Sequence, residues 1–154
     1  MQFFNNVVTE EEGIKIHNIL TMPKWGFPNW SNDPECPIWN FDKEAGRPIA
    51  ELLVSKLDKS YRLVDWHING QTFQLTGSWH SDDIEQCTHT FVFFPEEWNY
   101  EWGGRLHIKV TENELMNILP IQNTGILFDA TLLHYAEAPV NNKLRISVGL
   151  KLCL

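Results

Sequence analysis

The segment GSWHSDD, residues 77–83, places a histidine and a carboxylate two positions apart. Side chains at positions i and i+2 of a β-strand share one face, so His80 and Asp82 could bind one metal ion together. An H-x-D triplet arises often by chance, and an ordinary surface pair explains it as well. The triplet gains meaning only if a third ligand comes from elsewhere in the chain.

His134, at the end of the apolar segment LLH, is the best candidate for that third ligand. Strands that are distant in sequence can face each other across the mouth of a jelly roll. Two imidazoles and one carboxylate leave three positions of an octahedral ion open, which is typical of non-haem Fe(II) oxygenases. A structural zinc site would need four protein ligands, typically with thiolates, and the sequence contains no C-x-x-C motif.

Arg145 opens the strand-like segment RISVGLKL, shortly after His134. A buried arginine on an inward strand face needs an anionic partner, and its fork matches a carboxylate bidentately. A dicarboxylate could therefore bind a metal at one end and Arg145 at the other. A salt bridge to one of the chain's own acids explains the spacing equally well.

Three segments together resemble a known family: HSD at 80–82, WGGRLHI at 102–108, and LFDATLLHYAEAP…LRISVGLKL at 127–152. They look like the 2-oxoglutarate- and Fe(II)-dependent dioxygenases, especially the prolyl-hydroxylase-like branch and its small phage and bacterial versions. The resemblance covers residues 60–154, and no motif before residue 60 matches it. It implies that the two histidines and Asp82 bind Fe(II), and that Arg145 pairs with the distal carboxylate of 2-oxoglutarate.

The resemblance also implies further contacts to the cosubstrate. Ser147, two positions after the arginine, could add a hydroxyl to the same carboxylate. Relatives place a polar or tyrosine contact before the first metal ligand, where this chain offers Gln71, the preferred candidate, or Asn69. The family commonly has a tyrosine on the strand after H-x-D, but this chain has phenylalanines there. Thr90 is the only hydroxyl expected to reach inward from that strand.

The implied reaction consumes O2 and 2-oxoglutarate, releases succinate and CO2, and hydroxylates a substrate, with ascorbate as an optional reductant. A flat aromatic mouth around Trp25, Trp30 and Trp39 suits a peptide, in particular a prolyl one, although core packing explains these tryptophans equally well. A small-molecule substrate also fits. Three alternatives stay open: a non-catalytic jelly-roll binding module, an oxidative nucleic-acid demethylase, and a cupin-type isomerase. The isomerase is disfavoured because only Glu85 and Glu137 could complete its ligand set.

The composition limits partners and compartment. The 154 residues carry a formal net charge of −8, which disfavours binding to nucleic-acid phosphates. Three cysteines without a paired motif favour reduced thiols in a cytoplasmic protein, in the host cytoplasm if the chain is phage-encoded. The acidic N-terminal segment does not resemble a signal peptide, and no apolar run is long enough to span a membrane.

The pattern of apolar residues predicts a single domain over residues 1–154. Residues 1–60 are expected to form supporting helices and a loop. One helix begins at the capping box of Thr9 and Glu12, and a second follows RPIAELLVSKLDKS, with Pro48 near its start. Segment 22–42, with four prolines and three tryptophans, predicts an irregular loop.

From residue 61 onward the chain changes to short segments rich in β-branched and aromatic residues, separated by turn signals such as NG, GG and VNN. QTFQL is among the segments that predict a strand, and NG before it predicts a turn. We therefore expect a mainly β fold, with residues 61–154 forming a double-stranded β-helix. This cupin-like jelly roll of about eight strands would carry the N-terminal helices packed on it.

Overall fold

The computed structural model describes residues 1–29, 35–83 and 87–154 and has a mainly β fold. The described residues form two α-helices, ten strands and a short 3-10 helix (Tyr100–Trp102). The helices are α1 (Glu10–Leu20) and α2 (Lys43–Ser55). The strands are β1 (Gln2–Asn5), β2 (Trp25–Asn29), β3 (Ile38–Phe41), β4 (Arg62–Gln71), β5 (His89–Phe94), β6 (Leu106–Thr111), β7 (Glu114–Ile118), β8 (Thr124–Asp129), β9 (His134–Ala136) and β10 (Arg145–Cys153).

The strands form two antiparallel sheets that face each other, as predicted for a jelly roll. The larger sheet has the order β1-β8-β5-β10-β4-β3-β2, and the smaller one has the order β7-β6-β9. A buried apolar cluster joins them, with side chains from β5 and β8 on one side and from β6 on the other. The expected fold class is confirmed, while the single-domain boundary remains a prediction.

Strand β10 packs one face against the helices and turns its other face toward the candidate site. Its even-numbered residues Ile146, Val148, Leu150 and Leu152 pack with both helices in the largest core cluster. Because side chains alternate along a strand, the odd-numbered residues from Arg145 to Lys151 point to the opposite face. This face carries the candidate site.

Both predicted helices are present. Helix α1 has the predicted capping box, in which Thr9 accepts from the Glu12 amide and Glu12 accepts from the Thr9 amide. Helix α2 begins earlier than expected, at Lys43, because Asp42 caps it by accepting from the Ala45 amide at 2.8 Å. Neither helix combines the length and the apolarity needed to cross a membrane, within the described part of the chain.

The prediction of an irregular loop over 22–42 was wrong, because β2 and β3 form a hairpin at the edge of the larger sheet. The ladder between them is irregular from Gly26 to Asn29, where Pro28 lies. An edge strand tolerates a proline because its amide need not donate into the sheet. The number of prolines was therefore a poor guide to the secondary structure of this segment. Trp30 lies outside the described residues.

The predicted turn at Asn69–Gly70 and the strand predicted from QTFQL were also wrong. Strand β4 continues through Gly70 to Gln71, and residues 72–79 are not in a strand. A side chain at Gly70 would lie 2.9 Å from Trp25 and 3.1 Å from Trp39, so glycine is needed there for packing. Strand β7, which the sequence pattern missed, forms a short hairpin with β6.

Candidate metal and cosubstrate site

The potential metal-binding atoms of His80, Asp82 and His134 lie within 4.8 Å of one another. The main chain holds the two histidines together: the His80 amide donates to the His134 carbonyl at 3.0 Å, and the His134 amide donates to the His80 carbonyl at 2.8 Å. Asp82 is anchored separately, through its amide, to the Ala130 carbonyl at 2.9 Å. The three predicted ligands are thus brought together as a preformed cluster.

Backbone carbonyls set the tautomers of both imidazoles. Nδ1 of His80 lies 2.8 Å from the Ser78 carbonyl, and Nδ1 of His134 lies 2.9 Å from the Leu132 carbonyl. A carbonyl only accepts, so each Nδ1 must carry the hydrogen, which leaves the Nε2 lone pair for a metal. Burial, together with the neighbouring His80, lowers the pKa of His134, which keeps that ligand neutral.

Asp82 is 3% exposed and is held in its ionised form. Burial alone would raise its pKa, but the proximity of His134 and Lys151 outweighs burial and holds the pKa below its usual value. Thr90 donates to Oδ2 at 2.9 Å, and the Lys151 ammonium lies 3.3 Å from Oδ1. The cluster therefore offers two imidazoles and one carboxylate, a donor set that fits Fe(II) with open positions.

Arg145 is 1% exposed and lacks a carboxylate partner within salt-bridge distance in the described residues. Its Nε donates to the Gly104 carbonyl at 2.6 Å, and its NH1 donates to Gln71 Oε1 at 3.1 Å and Ser147 Oγ at 3.3 Å. The remaining nitrogen, NH2, is buried and has no hydrogen-bond partner in the described part of the chain. Burial lowers the pKa of Arg145 to about 10, so it is still charged at neutral pH. A buried, charged and incompletely paired guanidinium fits an anionic ligand.

The predicted turn in WGGRLHI forms the wall around this arginine. Gly103 and Gly104 have φ angles of 67° and 72°, a conformation that glycine adopts without strain. A side chain at Gly104 would lie 3.0 Å from Trp98 and 3.2 Å from the Arg145 stem. The glycine therefore allows Trp98 to pack close to the arginine.

The other predicted cosubstrate contacts have different neighbours from those expected. Gln71 supports Arg145, while its amide nitrogen donates to the Leu75 and Ala136 carbonyls and so has no spare hydrogen. Thr90 does reach inward, but its hydroxyl donates to Asp82. Asn69 accepts from Asn40 at 3.2 Å. Ser147, like Gln71, lies beside the Arg145 guanidinium.

The sequence pattern overlooked two residues near the metal cluster, Lys151 and His67. Lys151 interrupts an apolar strand at an even spacing from Arg145, a signal that could have placed it on the same face. The His67 ring lies against Gly149, where an added Cβ would fall 2.5 Å from Nε2. Burial lowers the pKa of His67 to about 4, so it is neutral at physiological pH.

Most of the expected aromatic mouth consists of packed side chains. Trp25 packs edge-on against Phe41, and Trp39 packs against Phe27. Trp79, next to His80 in sequence, is 47% exposed. Its ring meets Tyr135 edge-on at 4.5 Å, which makes it the best-placed aromatic contact for a substrate.

Of the two acids considered for a cupin-type isomerase, the structure describes only Glu137. Glu85 lies outside the described residues. Glu137 accepts from the Arg105 amide at 3.0 Å and is not among the clustered ligands.

The sequence matches no protein-family model and no curated protein. The fold, however, matches solved 2-oxoglutarate/Fe(II) oxygenases. A prolyl hydroxylase from Trichoplax adhaerens, solved with a peptide fragment of hypoxia inducible factor, aligns with a TM-score of 0.72 and 16% identity over 99% of this chain and 82% of that one. A 2OG-Fe(II) oxygenase family oxidoreductase from Burkholderia pseudomallei aligns with a TM-score of 0.74 and 11% identity. That alignment covers 97% of this chain and 82% of the other.

A third solved structure, the viral collagen prolyl hydroxylase of Paramecium Bursaria Chlorella virus-1 in its 2OG complex, has a TM-score of 0.60 and 17% identity. That alignment covers 99% of this chain and 96% of the viral one. The resemblance noted in the sequence therefore holds for the whole fold. At these identities the similarity establishes the fold, and the activity is argued from the site.

Proposed function

We propose that this protein is a 2-oxoglutarate- and Fe(II)-dependent oxygenase that hydroxylates its substrate. The observation that carries the proposal is that one jelly roll combines the His80–Asp82–His134 cluster with a buried arginine whose NH2 lacks a partner. The similarity of the fold to solved oxygenases supports it. A binding module would have no evident need for a preformed, incompletely ligated metal cluster together with an unpaired cation.

In this proposal, the Nε2 atoms of the two histidines and the carboxylate of Asp82 hold the iron. The bound iron supplies the activation of O2, so that O2 and 2-oxoglutarate convert a substrate C–H bond to C–OH with release of succinate and CO2. One oxygen atom enters the product and the other enters succinate. Thr90 and Lys151 orient the Asp82 carboxylate, as supporting hydrogen bonds do in metal sites.

Arg145 would bind the distal carboxylate of 2-oxoglutarate through its unpaired NH2. The Gly104 carbonyl and Gln71 hold the guanidinium in one orientation, and Ser147 lies close enough to add a hydroxyl. The ring of Phe94 lies 5.6 Å from the guanidinium, which excludes water from one side. These residues would position the cosubstrate and need not transfer protons.

A peptide is the favoured substrate class, because the Trichoplax neighbour was solved with a peptide and Trp79 offers an exposed aromatic surface beside His80. Prolyl hydroxylation is the finer form of this proposal, and a small-molecule substrate is the alternative. Ascorbate would act only to keep iron reduced.

The test measures binding of 2-oxoglutarate to protein loaded with Mn(II), followed by succinate release with Fe(II) and O2 in peptide pools. We expect binding that requires the metal, and succinate above the background of Asp82→Asn. Binding is the more reliable readout because turnover without the right substrate is slow. Protein that holds Mn(II) but does not bind 2-oxoglutarate would instead be a metal-binding module.

A further inference from the structure

A polar cavity of about 220 Å³ lies next to the candidate metal cluster. Its wall is built from β4, from the β3–α2 junction and from Lys151 of β10. Lys151 links the two sites, because it lines the cavity and its ammonium lies 3.3 Å from Asp82 Oδ1. A group held in this cavity would therefore sit beside the metal ligands.

Several polar groups of the cavity wall have hydrogen-bonding capacity left. The imidazole of His67 forms no hydrogen bond with any described residue. The side-chain oxygen of Asn69 accepts from Asn40, but the side-chain NH2 group of Asn69 donates to no described residue. The Lys151 ammonium has only Asp82 as an ion-pair or hydrogen-bond partner among the described residues, although an ammonium has three donors. Unused donors on a half-buried wall favour a hydrogen-bonding ligand over an apolar ring.

The other carboxylates of the wall are either paired with a cation or exposed, where solvent screens their charge. Asp65 pairs with Lys43, and the exposed Asp42 caps α2 by accepting from the Ala45 amide. In a loaded site, a divalent ion, Lys151 and Arg145 bring four positive charges, whereas Asp82 and 2-oxoglutarate bring three negative ones. Arg145 would be neutralised by the distal carboxylate of 2-oxoglutarate, and the divalent ion by Asp82 and the other carboxylate. The remaining positive charge is therefore that of Lys151.

We propose that this cavity binds a carboxylate of the substrate, through Lys151 with His67 and Asn69, next to the C–H bond that is oxidised. This inference rests on the proposed function and narrows it. The substrate would be a peptide with an aspartate or glutamate side chain, or a small acid, and the pocket would disfavour the uncharged ring of proline.

The test uses protein loaded with Mn(II) and saturating 2-oxoglutarate, to which capped amino acids are added in calorimetry. The acidic probes are N-acetyl-aspartate amide and N-acetyl-glutamate amide; the neutral probes are the asparagine, glutamine and proline counterparts. We expect at least one acidic probe to bind tenfold or more tightly than its amide counterpart and than the proline probe. No such preference in the wild type, including no binding at all, would overturn the inference.

Two variants assign the preference to the cavity. Lys151→Met keeps the length of the side chain and should reduce the preference below threefold, whereas Lys109→Met, which removes an exposed lysine from β6, should leave it unchanged. A preference that survives in Lys151→Met overturns the inference. His67→Phe leaves the Lys151–Asp82 contact in place and should weaken acidic-probe binding about threefold or more.

If Lys151→Met cannot retain Mn(II), the His67→Phe variant becomes the test of the cavity. Undiminished binding of the acidic probe in His67→Phe would then overturn the inference. Failure of the broader proposal is visible beforehand, because the wild type would then not bind 2-oxoglutarate at all. A wild type that binds 2-oxoglutarate but shows no acidic preference refutes only the carboxylate pocket.

Discussion

His80 and His134 exchange two backbone hydrogen bonds, although one precedes β5 and the other begins β9. The two imidazoles are consequently placed by the main chain and not by the metal. Their Nδ1 atoms are fixed by further carbonyls, so both Nε2 atoms are available before any ion binds. We therefore expect metal binding to need little rearrangement of the protein.

Replacing Asp82 by Asn removes the only charged ligand of the cluster while keeping its shape. Divalent-metal affinity should fall at least about 100-fold, more than is typical for loss of a supporting hydrogen bond. Calorimetric titration with Mn(II) measures the effect. The matched control is Asp83→Asn, next in sequence but exposed, which should bind like the wild type. Equal affinities in the two variants would exclude Asp82 as a ligand.

Thr90→Val removes the hydroxyl that donates to Asp82 Oδ2 without changing the volume of the side chain appreciably. Metal affinity should fall about tenfold, the usual cost of losing a supporting hydrogen bond in a metal site. Thr111→Val, at the exposed end of β6, controls for the loss of a strand hydroxyl. If Thr90 contacted the cosubstrate instead, 2-oxoglutarate affinity would fall while metal affinity stayed constant.

Arg145→Met should weaken 2-oxoglutarate binding by about 10- to 100-fold, since a hydrogen bond to a charged group contributes about 1.5–3 kcal/mol. Mn(II) affinity should not change, because Arg145 does not contact the clustered ligands. Arg105→Met, which removes a half-exposed arginine near Glu137, is the control. Loss of metal together with 2-oxoglutarate would show that Arg145 supports the fold instead.

The metal-free protein should lose stability as the pH falls from about 6.5 to 4. The pKa of His67 is about 4 in the folded protein, against an ordinary value of 6.5. Between these values His67 is protonated in the unfolded chain but not in the folded one, so lowering the pH favours unfolding. The contribution of His67 is at most about 3 kcal/mol, and His134 acts in the same direction. The lowered pKa of Asp82 contributes stability that is lost only below about pH 4.

Urea unfolding of metal-free protein at pH 7, 5.5 and 4.5 measures this loss. His67→Phe should flatten the decline, whereas His17→Gln, which alters an exposed histidine, should not. An equally steep decline in His67→Phe would show that His67 is already protonated in the folded protein.

The sequence indicated that His80, Asp82 and His134 would lie together and that Arg145 would be buried, and the structure places them so; their roles as ligands remain predictions. Arg145 does begin a strand with regular alternation. His80, in contrast, forms only an isolated bridge with His134, and Asp82 lies outside any strand, so backbone hydrogen bonds to His134 and Ala130 bring these two side chains together. The contacts of Gln71, Asn69 and Thr90 depend on which strands pair and in which register, such as Arg145 opposite Gln71. That register is a property of the assembled sheet, so residue types alone did not reveal it.

The missed strands have a similar cause. Proline and tryptophan in 22–42 indicated a loop, yet an edge position tolerates Pro28, and Gly70 makes room for Trp25 and Trp39. Local preferences described each segment alone, whereas the packing partners decided its conformation. Lys151 was overlooked because its role depends on an ion pair with Asp82, and the two residues come together only in the folded chain.

The most direct test of the account is a crystal structure of the protein with Mn(II) and a 2-oxoglutarate analogue that cannot be decarboxylated. We predict that the ion contacts His80, Asp82 and His134, and that the distal carboxylate of the analogue accepts a hydrogen bond from Arg145 NH2, the nitrogen now unpaired. An ion bound elsewhere, or a carboxylate that leaves this nitrogen unpaired, would contradict it.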